Sequence, residues 1–265
     1  MTEFVTSADG TRIAFDRVGS GPPVILVGGA MQFRGFDPAT VALADALAEH
    51  GFDVVHYDRR GRGESPAREP ITLAQTLDDL RALADLLTEG ADDAVALFGN
   101  SSGGAIALAA AAAGLPVSAL VLFEVPLDEE RGTGGGEFLA GLRERIRGGD
   151  ADATVEYFMK DMPPEWLAGA RASGGWPVMT AMAPSLEPDA EALAWTQSAP
   201  RAELCAEVHA RTLVLVGSET QPLMVAAADS LVAGLPRAER RELAASDHRW
   251  DPKQLALAIA GFLVD

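Results

Sequence analysis

One cysteine, Cys205, stands in the whole chain, so no intrachain disulfide can form. It lies just before an apolar strand pattern, outside any metal-ligand spacing, and reads as an inert thiol. Basic residues are scarce as well. Lys and Arg number 21 against 39 Asp and Glu, a formal charge of −18. Such a surface repels phosphate backbones and anionic lipid, which argues against nucleic-acid and membrane partners. No uninterrupted apolar run approaches membrane-spanning length. The start, Met1-Thr2-Glu3-Phe4-Val5, has no basic segment leading into an apolar one, so a cytoplasmic location is expected. There is no repeat or heptad to suggest a structural array. What is present is a chain of 265 residues, 48% of them hydrophobic. That is too apolar for wholesale disorder and fits one large α/β domain with an inserted subdomain.

Apolar runs alternate with helical patterns along most of the chain. Segments 3–7 and 11–18 flank Ala8-Asp9-Gly10 and read as an edge hairpin. Pro23 to Val27, Phe52 to Tyr57, Ala94 to Phe98, Val117 to Phe123 and Thr212 to Val216 read as strands buried on both faces. A further strand is expected near Arg240 to Ala244. Helices are predicted over 37–50, with Asp37 as cap and Pro38 in the first turn, and over 72–88, with Thr72 as cap. Others follow the Ala94–Phe98 strand and cover 222–235 and 251–262. This alternation implies an α/β fold: a mostly parallel sheet flanked by helices, with sites beyond the carboxyl ends of its strands. Residues 127–205 interrupt the series with helical patterns alone. They are read as an inserted helical cap between core segments 1–126 and 206–265, entered through a flexible Thr133-Gly134-Gly135-Gly136 connection.

The chemistry centres on Gly99-Asn100-Ser101-Ser102-Gly103-Gly104, set between an apolar strand and an alanine-rich helix. Gly-x-Ser-x-Gly in that context is the signature of a nucleophile elbow, and glycines two residues on either side single out Ser101. A serine hydroxyl needs a base. Among four histidines, His248 lies in a loop after the last strand pattern and before the last helix, as a base must. His50, His56 and His209 read as surface or sheet residues. Two glutamates could hold the imidazole: Glu219, after the strand that follows the insertion, and Glu124, after the strand next to the elbow helix. Burying a carboxylate behind Ala119-Leu120-Val121-Leu122-Phe123 is costly unless it is paired, which favours a functional Glu124. Oxyanion donors are expected at the amide of Ser102 and, after Gly28-Gly29, at Ala30 or Met31. Met31, Trp166, Trp176 and Met179 are candidates for an apolar substrate pocket. No metal or cofactor is expected.

With Gly99-Asn100-Ser101-Ser102-Gly103, Tyr57-Asp58-Arg59-Arg60-Gly61-Arg62-Gly63-Glu64-Ser65 and the late His248, the chain resembles the α/β-hydrolase superfamily along nearly its whole length. It is most similar to a branch of small bacterial serine hydrolases carrying Glu-x-Pro after the sixth strand, and more distantly to zearalenone lactonases. Glu124-Val125-Pro126 occupies that position here, and the resemblance implies Glu124 as the acid, with Glu219 as alternative. Where many members carry His-Gly before the oxyanion donor, this chain has Gly28-Gly29. The implied activity is hydrolysis of a small ester or lactone. Thioester cleavage, carbon–carbon hydrolysis, acyl transfer or cyclisation, and a non-catalytic ligand-binding role are the alternatives. The oligomeric state, monomer or homodimer, is left open.

Overall fold

Alternation along each central strand places neighbouring side chains on opposite faces of one sheet, and helices cover both. A computed structural model describes residues 2–68, 70–88, 93–128 and 130–264. Its eight strands are β1 (Glu3–Thr6), β2 (Arg12–Gly19), β3 (Pro23–Val27), β4 (Asp53–Tyr57), β5 (Val95–Asn100), β6 (Val117–Phe123), β7 (Arg211–Glu219) and β8 (Ala238–Ser246). They lie in the order β1-β2-β4-β3-β5-β6-β7-β8. β2 runs antiparallel to β1 and β4, and the remaining pairs are parallel. The edge hairpin forms as expected, with the Asp9 carboxylate accepting the Thr11 N–H at 2.9 Å.

On one face Ile25, Leu97, Leu120 and Val214 pack beneath α2 (Leu73–Leu87), α3 (Ser102–Ala112) and α10 (Pro222–Gly234). On the other, Leu26, Phe98, Phe123 and Leu215 meet α1 (Pro38–Glu49) and α11 (Pro252–Val264). Adjacent residues such as Leu97 and Phe98 thus serve opposite layers, which is why these strands read as unbroken apolar runs. Asp37 caps α1 by accepting the Thr40 N–H at 3.1 Å, and Thr72 with Gln75 forms a reciprocal capping box on α2. The last strand is longer than its sequence pattern. Glu239 to Glu242 are exposed on this edge strand and carry no apolar signal.

Between β6 and β7 the described chain is helical. It forms α4 (Gly134–Gly148), α5 (Ala151–Phe158), α6 (Pro164–Ala172), α7 (Trp176–Ala181), a 3₁₀ turn (Ala183–Leu186), α8 (Glu187–Trp195) and α9 (Arg201–Leu204). The glycine triplet is not a flexible connection: it is the first turn of α4. The Gly135 N–H donates to Gln197 Oε1 at 2.9 Å, and a side chain there would lie 2.9 Å from Ala194 Cα. Close packing overrides the poor helix propensity of glycine. Leu142, Val155, Phe158, Met159, Met182 and Leu186 form this segment's own apolar cluster, which Met31 joins. α8 behaves differently: Ala192 and Trp195 pack into the sheet's cluster beside α3. Among the described residues no helix is long and apolar enough to cross a membrane.

The loop after β4 buries three guanidinium groups, those of Arg59, Arg60 and Arg62. Arg60 grips the Asp79 carboxylate of α2 with two bonds, 2.6 and 2.7 Å, and reaches Asp9 of the hairpin turn at 2.9 Å. It therefore ties the sheet edge to α2. Removing one partner of such a pair leaves a buried charge uncompensated. Asp79→Ala is accordingly expected to cost about 3 kcal/mol of unfolding free energy in urea titration. A change inside the ordinary surface range of about ±0.5 kcal/mol would show the pair to be dispensable.

Candidate active site

Strained backbone marks one rim of the sheet. Among the described residues, the non-glycine positions with φ clearly positive are Met31 (58°), Ser101 (53°), Glu124 (43°), Asp247 (52°) and His248 (60°). All lie just beyond the carboxyl ends of β3, β5, β6 and β8. Each such conformation costs on the order of 1–3 kcal/mol and persists only where the surroundings fix it. The elbow shows how. A Cβ on Gly103 would sit 2.4 Å from the Val27 carbonyl oxygen, so only glycine lets α3 start this close to β3. Ser101 itself sits at φ 53°, ψ −135°, between the end of β5 and the first turn of α3.

Strand register brings Glu124 to the same rim. Asn100 and Phe123 are aligned across β5 and β6, the Ser101 N–H donates to the Phe123 carbonyl at 2.9 Å, and the Glu124 N–H donates to that of Leu215 at 3.0 Å. The Glu124 carboxyl lies 2.5 Å from His248 Nδ1, and its second oxygen accepts the Gly217 N–H at 2.9 Å. A Cβ on Gly217 would lie 2.9 Å from that oxygen and 2.7 Å from the Ala245 carbonyl, so β7 must carry glycine there. Glu124 is 2% exposed. Burial by itself raises its pKa, but hydrogen bonds from His248, the Thr220 hydroxyl and the Gly217 amide outweigh that and hold it below the ordinary value. It is therefore a carboxylate, able only to accept a hydrogen bond from Nδ1. Glu219, the other candidate acid, is exposed at the end of β7 and aligned with Ser246 of β8. The structure pairs Glu124, not Glu219, with the histidine.

The imidazole is near two rings, Phe123 at 6.1 Å and Trp166 at 5.9 Å between centroids. Among the described residues no hydrogen bond joins Ser101 Oγ to His248. Catalytic contacts of this kind are often loose without substrate and tighten when it binds. The other histidines are elsewhere: His50 and His209 are exposed, and His56 is buried in β4, where desolvation lowers its pKa.

The loop after β3 runs directly past the serine. A Cβ on Gly29 would lie 3.1 Å from Ser101 Cβ. Gln32, which carries no motif of its own, fastens the loop to the elbow: its Oε1 accepts the Gly29 N–H at 2.5 Å and the Asn100 side-chain amide at 3.1 Å. Ala30 and Met31 follow Gly29 on this loop. Ser102 opens α3, where first-turn N–H groups have no intrahelical acceptor, and its hydroxyl donates to buried Asp189 at 2.6 Å. Of the four apolar candidates, Trp166 stacks on the histidine and Met31 is buried against the helical segment. Met179 and Trp176 pack at the edge of that cluster, with the Trp176 indole N–H donating to Asp152 at 2.6 Å. Among the described residues no group of three or more His, Cys, Asp or Glu is placed to hold a metal ion. Cys205 is buried, and burial pushes its thiol up to about 11.

The profile of the alpha/beta hydrolase family matches residues 12–258. An alpha/beta hydrolase from Sphaerobacter thermophilus is 34% identical over 98% of this chain and 99% of its own, with a TM-score of 0.84. An esterase from Exiguobacterium antarcticum shares the fold at a TM-score of 0.73 and 20% identity, covering all of both chains. An enol-lactonase from Burkholderia xenovorans does so at 0.65 and 21% identity, over 99% of this chain and 98% of its own. No curated protein matches the chain.

The depressed Glu124 pKa gives stability a defined pH dependence. Between the ordinary value of 4.5 and the lower folded value, the unfolded chain binds the proton first. Stability from this group is therefore complete above that window and lost as pH falls through it. The difference in unfolding free energy between the unmodified chain and Glu124→Gln should shrink as pH is lowered from about 5.5 toward about 3. A difference constant across that range would mean that Glu124 is not held as a paired carboxylate.

Proposed function

The chain belongs to the alpha/beta hydrolase family, and from that premise we propose that it is a serine hydrolase cleaving a carboxylic ester or lactone of a small, largely apolar substrate. One observation carries the reading: a buried carboxylate 2.5 Å from His248 Nδ1, one strand over from a serine held at φ 53°. Ser101 Oγ attacks the carbonyl carbon while His248 Nε2 takes its proton. The Glu124 carboxylate keeps the tautomer and stabilises the imidazolium. Negative charge on the carbonyl oxygen develops against the amides of Ser102 and of Ala30 or Met31. His248 then returns the proton to the leaving alcohol, and a water activated by the same nitrogen releases the acyl group.

The helical insertion serves this reading as a cap. Trp166 on the histidine and Met31 in the insertion's apolar cluster give the site apolar walls, which suit an uncharged acyl or alcohol group. Thioesters, carbon–carbon bonds and acyl acceptors other than water could use the same three residues. A non-catalytic receptor would share the pocket without an activated serine.

Two measurements test the activated serine and the choice of acid. A fluorophosphonate probe should label the protein at Ser101 and fail to label Ser101→Ala, whereas a receptor would stay unlabelled in both forms. On a p-nitrophenyl ester panel, Glu124→Gln should lose about three to four orders of magnitude in kcat, as when a triad acid loses its charge. Glu219→Gln should stay within about twofold, the usual weight of an exposed charge. The reverse order would transfer the acid role to Glu219.

A further inference from the structure

Arg62 spends all five of its guanidinium N–H donors inside the protein. Nη1 donates to the carbonyl of Gly29 at 2.6 Å and to that of Gln32 at 3.2 Å. Nη2 reaches the Ser185 carbonyl at 3.1 Å and Asp189 at 2.7 Å, and Nε reaches the Ser185 hydroxyl at 2.9 Å. The two carbonyls on Nη1 bracket Ala30 and Met31, the residues after β3 whose amides face the elbow in the reading above. Asp189 completes the arrangement. It is wholly buried, takes Arg59 at 2.8 and 2.5 Å as well as Arg62, and accepts the Ser102 hydroxyl at 2.6 Å. Arg59 in turn donates to the Gly28 carbonyl at 3.1 Å. One carboxylate and two guanidinium groups thus hold both the loop after β3 and the first residue of α3. Their formal sum is one positive charge, sealed from water behind them.

We propose that Arg62 is a positioning residue for the oxyanion site, acting through the Gly29–Ala30 peptide that it grips and holding Met31 at positive φ. The proposal rests on Ser101 being the nucleophile. The C=O of Gly29 and the N–H of Ala30 belong to one conjugated amide. A cation donating to that oxygen draws electron density from the nitrogen, so the Ala30 N–H becomes a stronger donor on the opposite side. The same grip holds the loop in place against strain at Met31, so the donor is oriented before charge develops and needs no reorganisation in the transition state. Burial and the neighbouring Arg59 lower the Arg62 pKa to about 10, which leaves the group cationic at neutral pH. Its effect is confined to a species with charge on the carbonyl oxygen. Substrate binding and the basicity of His248 are separate matters.

The test compares Arg62→Met and Arg62→Lys with the unmodified enzyme on p-nitrophenyl acetate. Arg62→Met should lower kcat about tenfold or more, less than the 10²–10³ of deleting an oxyanion donor outright. KM should stay within about twofold and the acid-side midpoint of the pH–rate profile should not move, because the His248–Glu124 pair is untouched. Fluorophosphonate labelling of Ser101 should slow in parallel. Arg62→Lys keeps the charge but cannot reach every acceptor, and should fall between the two. A folded Arg62→Met enzyme with unchanged kcat, or one altered in KM alone, would overturn the proposal. If that variant does not fold, Arg62→Lys decides it by the same criterion, since unchanged kcat there is equally contrary. Failure of the unmodified protein to label at Ser101 or turn over any ester would instead defeat the hydrolase reading, and this inference with it.

Discussion

The site depends on one carboxylate that folding takes out of water. Glu124 ends a strand buried on both faces, and its charge is tolerable there only because three donors converge on it. One comes from β7 through a position that has to be glycine, and one comes from the histidine. The neighbouring strands fix the carboxylate, and the carboxylate fixes the imidazole. His248 reaches it from a tight turn after β8, with Asp247 and His248 both at positive φ. A loop with such strain keeps its form because the pairing at its end and the rings of Phe123 and Trp166 around it reward that form.

A second buried charge cluster stands on the other side of the serine. In the proposed reaction the Glu124–His248 pair handles the proton, whereas Asp189 with Arg59 and Arg62 holds the loop after β3. Both clusters link segments far apart in the chain: the first joins the ends of β6, β7 and β8, and the second joins the loops after β3 and β4 to α8. α6, which carries Trp166, has no buried residue, so the ring covering His248 rides on a lightly anchored element. Such elements occupy the low-stability end of a structure and are the ones free to move when a substrate enters.

Local features were legible wherever the chemistry is local. The elbow was readable because its Gly-x-Ser-x-Gly pattern between an apolar strand and a helical run is local, although Gly103 answers to distant Val27, and the Asp37 and Thr72 caps and the Asp9-Gly10 hairpin are local outright. Burial on both faces made the central strands plain, while the charged edge strand β8 was seen only in its middle. Glu124 was favoured over Glu219 by its place behind an apolar run, and the strand order agrees with that choice: β6 lies beside β5, and β7 one strand further out. The glycine triplet at 134–136 misled because its helical form comes from Ala194 and Gln197, some sixty residues away. The arginine–aspartate network was invisible for a like reason, since Arg59 and Asp189 are 130 positions apart. The separate Arg60–Asp79 pair did leave a trace: Asp79 falls on the same helical stripe as Thr76, Leu80 and Leu83, and an acid on an apolar stripe calls for a buried partner.

The central claim is that Ser101, His248 and the loop after β3 converge on one reacting carbon, and a crystal structure after treatment with diethyl p-nitrophenyl phosphate tests it most directly. The account predicts a phosphoryl group on Ser101 Oγ, one of its oxygens facing the amides of Ser102 and Ala30 or Met31, and His248 Nε2 within hydrogen-bond reach of the adduct. A phosphoryl group on another residue, or on Ser101 with its oxygens turned away from those amides, would contradict it.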